Sequence, residues 1–433
     1  MIKKSFLSLL FFIFSISIYA QTYITNVNVA DVNNQKIIPN QTVVIIDHLI
    51  SDIQKSKKIK VPQDGTVIDG TGKYLFPGLV DAHIHFLQSG GVYTRPDAIN
   101  LQEFRPFEEE IAFSQNDMET KLRRYLQNGI TSVVEVGTNY DLLKKHNEFT
   151  DKAFAPNIFI TGPLLTTYEP EVYKNLGKYN PFILTKNIED GINGVQQQLP
   201  YKPDFIKIWY IAGQDGLSIE ESARKNLPII KAAIDEAHKN NLKVAIHATQ
   251  KITAQLAVEN GADYLVHSVD DEILDDSFIQ LLKEKETVVC PTLVVSRGYS
   301  HTFGSTIEKD THQLQTADPH QLGTLLDLKH ISDTTLVQNY RRFANSAKNI
   351  SNLKKTESII KANLKLLSDA GVTIVTGTDA GNIGTLHASS YLGELNAMSQ
   401  SGMSNWEIIK ASTINGAKLF NKENQLGLSL IHI

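Results

Sequence analysis

The chain has one cysteine, Cys290, in 433 residues. That excludes an internal disulfide framework, so stability must come from packing or from a bound metal. Charge of one sign is also scarce. Lysine and arginine number 42 against 47 acidic residues, a net charge of −5. With no long basic run, nucleic acid is excluded as an expected partner. The apolar run over residues 6–19 is too short for a membrane-spanning helix. The remaining composition, 42% apolar and 21% charged, is that of an ordinary soluble globular protein.

That short run has a function of its own. Lys3 and Lys4 precede it, and Ala20-Gln21 follow it. A charged start, an apolar middle and a small residue at the end predict a secretory signal over residues 1–20. The mature protein is therefore expected to be exported, periplasmic or extracellular, with no membrane span after cleavage. No cysteine follows the run, which excludes lipid attachment there.

Residues 21–75 contain short β-rich stretches separated by turn signals such as Asp64-Gly65 and Asp69-Gly70, predicting a small β-unit. From Pro77 onward, apolar strands alternate with helical stretches. Strands are predicted at 78–85, 131–136, 158–161, 205–210, 243–247, 264–267, 288–295 and 373–376, which makes eight. Near-continuous apolar strands in such a series predict an α/β fold, a (β/α)8 TIM barrel, with its chemistry at the C-terminal strand ends. The polar stretch 296–361 is predicted to form helices over the barrel mouth. Its histidines, His301, His312, His320 and His330, have no tight mutual spacing and are expected in solvated positions.

The chemistry-bearing residues sit where such a barrel would use them. His83-Ile84-His85 puts two imidazoles on one face of a strand, a geometry suited to a divalent metal. His247 and His267 each end an apolar strand, one βα unit apart. Lys207 lies inside Asp204-Phe205-Ile206-Lys207-Ile208-Trp209-Tyr210; burial there would lower its pKa and leave an amine able to form a carbamate with carbon dioxide. Asp379, in Thr376-Gly377-Thr378-Asp379-Ala380-Gly381, can serve as a turn residue, a metal ligand or a proton acceptor.

In their order and strand placement, His83-x-His85 after Phe76-Pro77-Gly78-Leu79-Val80-Asp81, then Lys207, His247, His267 and Asp379, resemble the metal-dependent amidohydrolase superfamily, as does Gly129-Ile130-Thr131-Ser132-Val133. The resemblance covers almost all of the mature chain. It implies a barrel with a small β-sandwich built from both chain ends: residues 21–75, then the barrel over 76–417, then the start of the second part over 418–433. It implies two divalent metal ions, zinc being the expectation. His83, His85 and Asp379 would hold the deeper one and His247 and His267 the other, with carboxylated Lys207 between them. Asp379 would be the catalytic acid–base residue beside a metal-bridging hydroxide.

Family deaminases carry a glutamate three residues after the strand-five histidine. Gln250 stands there and cannot shuttle a proton, which argues against deamination. The Lys207 segment looks instead like the prolidase-like and imidazolonepropionase-like branch. The expected activity is hydrolysis of C–N amide or peptide-like bonds in a small-molecule substrate, a dipeptide or N-acyl amino acid. A mononuclear cyclic-amide hydrolase or deaminase and a non-catalytic barrel scaffold are the alternatives. Tyr210 and His387 are expected to touch substrate. The chain ends at Ile433 after Leu428-Ser429-Leu430-Ile431-His432, where relatives continue into further strands. An incomplete sandwich with exposed apolar surface is expected, and with it association into a homo-oligomer.

Overall fold

The computed structural model describes residues 21–429 except Asn175 and Lys309. The expected secretory signal, 1–20, and most of the apolar tail, 430–433, lie outside the described residues. The chain divides into two units, Pro77–Gly427 and a smaller one formed by the N-terminal segment with residues 428 and 429.

The smaller unit is a five-stranded sheet. Strands β1 (Gln21–Asp31), β2 (Lys36–Ile46) and β3 (Leu49–Lys55) form an antiparallel meander. β4 (Thr66–Asp69) and β5 (Tyr74–Leu75) run parallel to β1. Val27, Val29 and Val43 are buried together on one face, as period-two alternation requires. Of the expected β-sandwich, the described residues contain this one sheet; Leu428 and Ser429 add no strand.

The larger unit contains β6 (Leu79–Ile84), β7 (Ile130–Glu135), β8 (Asn157–Ile160), β9 (Leu164–Thr166), β10 (Phe182–Leu184), β11 (Phe205–Trp209), β12 (Lys243–His247), β13 (Tyr264–Val266) and β14 (Val288–Cys290). They form two parallel sheets, β6-β7-β8 and β10-β9-β11-β12-β13-β14. Residues 372–380 join the two on one side. Val375 N–H donates to Val289 O at 2.9 Å, and Ala82 N–H donates to Thr376 O at 2.8 Å. On the other side, Asp204 N–H donates to Ile160 O at 2.8 Å. The parallel strands thus form a closed (β/α)8-type ring. The third expected strand forms as β8, with the short β9 as an additional strand after it, and the eighth is held by isolated bridges instead of a continuous ladder.

Alternation explains both layers of this unit. Phe205, Ala245, Tyr264, Val266, Cys290 and Val375 pack inside the ring. Ile206, Ile208, Val244, Ile246, Leu265 and Val289 point outward and pack with helix residues such as Ile234 and Phe278. Each such apolar side chain contributes about 1.5–3 kcal/mol on burial. The last strand approaches β6 so closely that a Cβ at Gly377 would lie 2.8 Å from both the Cβ and the N of His83; only glycine fits there.

Two boundaries differ from those expected. The strand predicted over 288–295 stops at Cys290, because Pro291 cannot donate to a ladder and Thr292 takes a positive φ of 47°. A helix, Val295–Gly304, follows at once. The boundary expected after residue 417 falls inside the larger unit, where Phe420 stacks on Phe159 with ring centroids 4.1 Å apart. Over 296–361 the expected helices form, including Thr334–Ala344 and the start of Ala347–Asp369.

Glu394, on helix Tyr391–Gln400, accepts from Leu293 N–H at 2.9 Å and Val294 N–H at 3.1 Å, tying off the start of Val295–Gly304. Burial raises its pKa from 4.5 to about 8, against the lowering effect of those two bonds. The folded-state value lies above the unfolded one. Its stabilising contribution is therefore complete below about pH 4.5 and is lost as pH rises through about 8. Thermal unfolding between pH 5 and 9 is expected to show this loss, and E394Q to flatten it. An E394Q profile parallel to wild type would refute the assignment.

Candidate metal centre

The barrel ladder itself assembles the centre. Asp379 N–H donates to His83 O at 2.7 Å, and His85 N–H donates to Ala380 O at 2.8 Å. These bonds hold Asp379 beside the His83–His85 pair. His83 Nε2 and His85 Nε2 each lie 3.1 Å from Asp379 Oδ1 and 3.4 Å from one another. All three residues are buried, and their ligand atoms lie within 4.8 Å of one another. Asp379 and His267 both have positive φ, 58° and 79°, a strain of roughly 1–3 kcal/mol each that is typical of functional positions.

The outer groups orient these rings. His85 Nδ1 donates to Gly137 O at 3.0 Å, since a carbonyl can only accept. That leaves Nε2 to face Asp379. Glu135 stands 3.6 Å from the same Nδ1 and accepts from Gly137 N–H at 3.0 Å and from Phe86 N–H. Asp81 accepts from Thr378 N–H at 3.0 Å and Thr378 Oγ1–H at 2.8 Å. Burial raises its carboxyl to about 7.

His247 and His267 complete the arrangement, with ring centroids 4.4 Å apart; His83 and His267 lie 4.8 Å apart. His267 Nδ1 is 2.7 Å from Thr292 Oγ1 and 3.9 Å from Asp379 Oδ2. Lys207 follows Phe205 on the inward face of β11 and is 1% exposed. Burial pulls its pKa from 10.5 to about 7, opposed by the charge of Asp379. All six expected ligands line one cavity of about 400 Å³.

The donor set fits divalent metal. Lys207 Nζ, His83 Nδ1 and Asp379 Oδ1 are buried without a hydrogen-bond partner among the described residues. Oδ1 sits 3.1 Å from the Nε2 atoms of both His83 and His85, so a carboxylate oxygen and two imidazole nitrogens are grouped as metal ligands would be. Burial alone would lower the His85 pKa, but the Asp379 and Glu135 carboxylates raise it to about 9. The carboxylates favour a cation there. At His83 burial prevails and pulls the value to about 4, the neutral form a ligand needs.

Two expected residues lie elsewhere. Tyr210 comes one residue after the inward-facing Trp209, so it points outward into the helix layer, and its hydroxyl donates to Ala223 O at 2.6 Å. His387 is 1% exposed and stacks on Phe86, with its nitrogens 2.9 Å from Tyr125 Oη and 2.8 Å from Gln88 O. Neither lines the cavity. Trp209 does, edge-on to His247 at 5.7 Å. Sequence reading missed Arg95, Tyr299, Asn382 and Asp270, all of which line it. Asn382 bridges Asp379 O (3.1 Å) to Arg95 and to Tyr299 Oη (2.7 Å). Gln250 lies outside the cavity lining, with Nε2 donating to Ala212 O at 3.4 Å.

A parallel α/β barrel with histidines and a carboxylate converging at its strand ends defines a class of barrels with a metal-type centre. The amidohydrolase family model matches residues 74–428, and the chain belongs to that family. Dihydroorotase of Lactobacillus helveticus (strain DPC 4571) is 29% identical over 227 residues, covering 50% of this chain and 40% of that protein. Dihydroorotase of Lactobacillus delbrueckii subsp. bulgaricus matches to the same extent. The alignment thus spans about 40% of the length of these curated relatives.

Three solved structures share the fold. A prolidase complexed with N-methylphosphonate-L-proline is 21% identical with a TM-score of 0.64, covering 95% of this chain and 90% of that one. A Xaa-Pro dipeptidase with bound methionine in the active site is 21% identical, TM-score 0.65, covering 94% and 91%. A. niger ochratoxinase is 20% identical, TM-score 0.67, covering 95% and 88%.

Proposed function

We propose that the protein is a metal-dependent hydrolase of C–N amide or peptide-like bonds in dipeptides or N-acyl amino acids. The observation that carries this reading is the convergence of His83, His85 and Asp379 within 4.8 Å beside a buried lysine with no partner among the described residues. His83, His85 and Asp379 would hold one ion and His247 and His267 the second, zinc being the expected metal. A divalent ion there supplies Lewis acidity toward a carbonyl and acidifies water.

The protein's own groups supply the rest. Near its pKa of about 7, Lys207 keeps a fraction of neutral amine. Addition to carbon dioxide gives a carbamate and releases one proton, turning the lysine into an anionic ligand. Asp379 Oδ2, on the His267 side, is the atom that would take a proton and hand it to the leaving amine. Trp209 and Phe182, stacked at 5.1 Å, form an apolar wall that excludes water from one side.

The test is elemental analysis of the purified protein with a hydrolysis screen over dipeptides and N-acyl amino acids. Two equivalents of divalent metal are expected, with hydrolysis lost on chelation and restored by metal. A stable metal-free protein without hydrolysis would favour a scaffold. Dihydroorotase similarity over half of the chain favours a second reading, hydrolysis of a cyclic amide by a mononuclear site, which a single equivalent of metal would support. We further propose export on the strength of residues 1–20. Intact mass of the native protein tests this, and retention of those residues would refute it.

A further inference from the structure

We propose that Asp270 recognises a protonated amine on the substrate, so that the preferred substrates are dipeptides with a free α-amino group and not N-acyl amino acids. The inference rests on the amide-hydrolase reading and narrows it.

Four residues of formal charge line the cavity: Arg95, Lys207, Asp270 and Asp379. Asp379 is surrounded by His83, His85 and His267. Arg95 is neutralised by Asp97, whose two oxygens accept from Nε at 2.8 Å and from an η nitrogen at 2.6 Å. Lys207 belongs to the metal centre. Only Asp270, among the described residues lining the cavity, is a carboxylate with neither an ion pair nor a side-chain hydrogen bond. Lys251, on the neighbouring helix, pairs instead with Asp275 at 2.5 Å and Glu272 at 3.7 Å.

The loop carrying Asp270 is firmly held. Asp270 N–H donates to Thr249 O at 2.9 Å. Asn363 Nδ2 donates to Val269 O at 3.0 Å and Glu272 O at 2.9 Å, and its Oδ1 accepts from Leu274 N–H at 2.9 Å. The backbone that carries the carboxylate is thus preorganised, which lowers the ordering cost of binding. Burial, with the charge of Asp271, already raises its pKa to about 6. A carboxylate destabilised by burial gains most from a cation brought by a ligand. An α-amino group is protonated near neutral pH, and acylation removes its charge and leaves a single N–H donor.

The experiment compares alanyl-proline with N-acetylalanyl-proline in metal-replete wild type and D270N. Wild type is expected to favour the free amine in kcat/KM. In D270N, KM for alanyl-proline should rise about 10–100-fold, the worth of a charge-assisted bond, with kcat within about twofold and the acetylated substrate unchanged. An equal loss on both substrates, or a retained preference, overturns the inference. Calorimetric binding of leucinol, a cationic amine with no amide bond, separates this from the catalytic reading. Weaker binding by D270N supports the amine site even if neither peptide is hydrolysed, and equal binding refutes it.

Discussion

D379N is expected to lower kcat by about 10⁴-fold, the upper range for a positioned acid–base group. It should also weaken metal binding by more than the roughly 10–100-fold typical of outer groups. Asp379 touches both strand-one imidazoles through Oδ1 at 3.1 Å, whereas Oδ2 lies on the His267 side. The change keeps the shape of the side chain and removes its charge. The backbone bond from Asp379 N–H to His83 O survives, so the fold should persist. Activity assays paired with elemental analysis and circular dichroism check this. Full metal content with activity within tenfold of wild type would remove Asp379 from the centre.

K207M separates one ion from two. Lys207 Nζ is buried with no partner among the described residues, an arrangement that costs stability if it serves no ligand. Methionine fills nearly the same space without a polar tip, so thermal stability should hold or rise while the second metal equivalent is lost. Losing several kcal/mol of Lewis-acid stabilisation corresponds to about a 10²–10³-fold fall in kcat/KM. Unchanged metal content and hydrolysis would sink the binuclear reading. A matching loss of folding would instead make Lys207 a structural residue.

The parts of the site legible in the sequence were those that follow strand periodicity. His83, His85, His247 and His267 each lie at or just beyond the end of an apolar strand, and Lys207 shares the inward face with Phe205 and Trp209. Where a strand ends is not written in its composition, which is why Tyr210, one position past Trp209, was expected in the pocket and lies outside it. Arg95, Tyr299, Asn382 and Asp270 belong to loops and a helix brought to the mouth by tertiary packing. No local spacing links the Arg95–Asp97 pair to Asn382 and Tyr299 as one hydrogen-bonded group. The eight barrel strands were legible because two buried faces leave a continuous apolar run. The additional short strand β9 and the bridged geometry of the last were not, because both depend on neighbours far along the chain.

The seam between the first and last barrel strands has a consequence for assembly. Asp379 is bonded to His83, and Ala380 to His85, across nearly the full length of the ring-forming segment. Neither terminal portion of that segment contains the His–His–Asp cluster alone, so the ion would have no complete berth until the last strand docks. Its binding energy would then act as a latch on ring closure, rewarding a contact between segments far apart in sequence, whose loop entropy is correspondingly large.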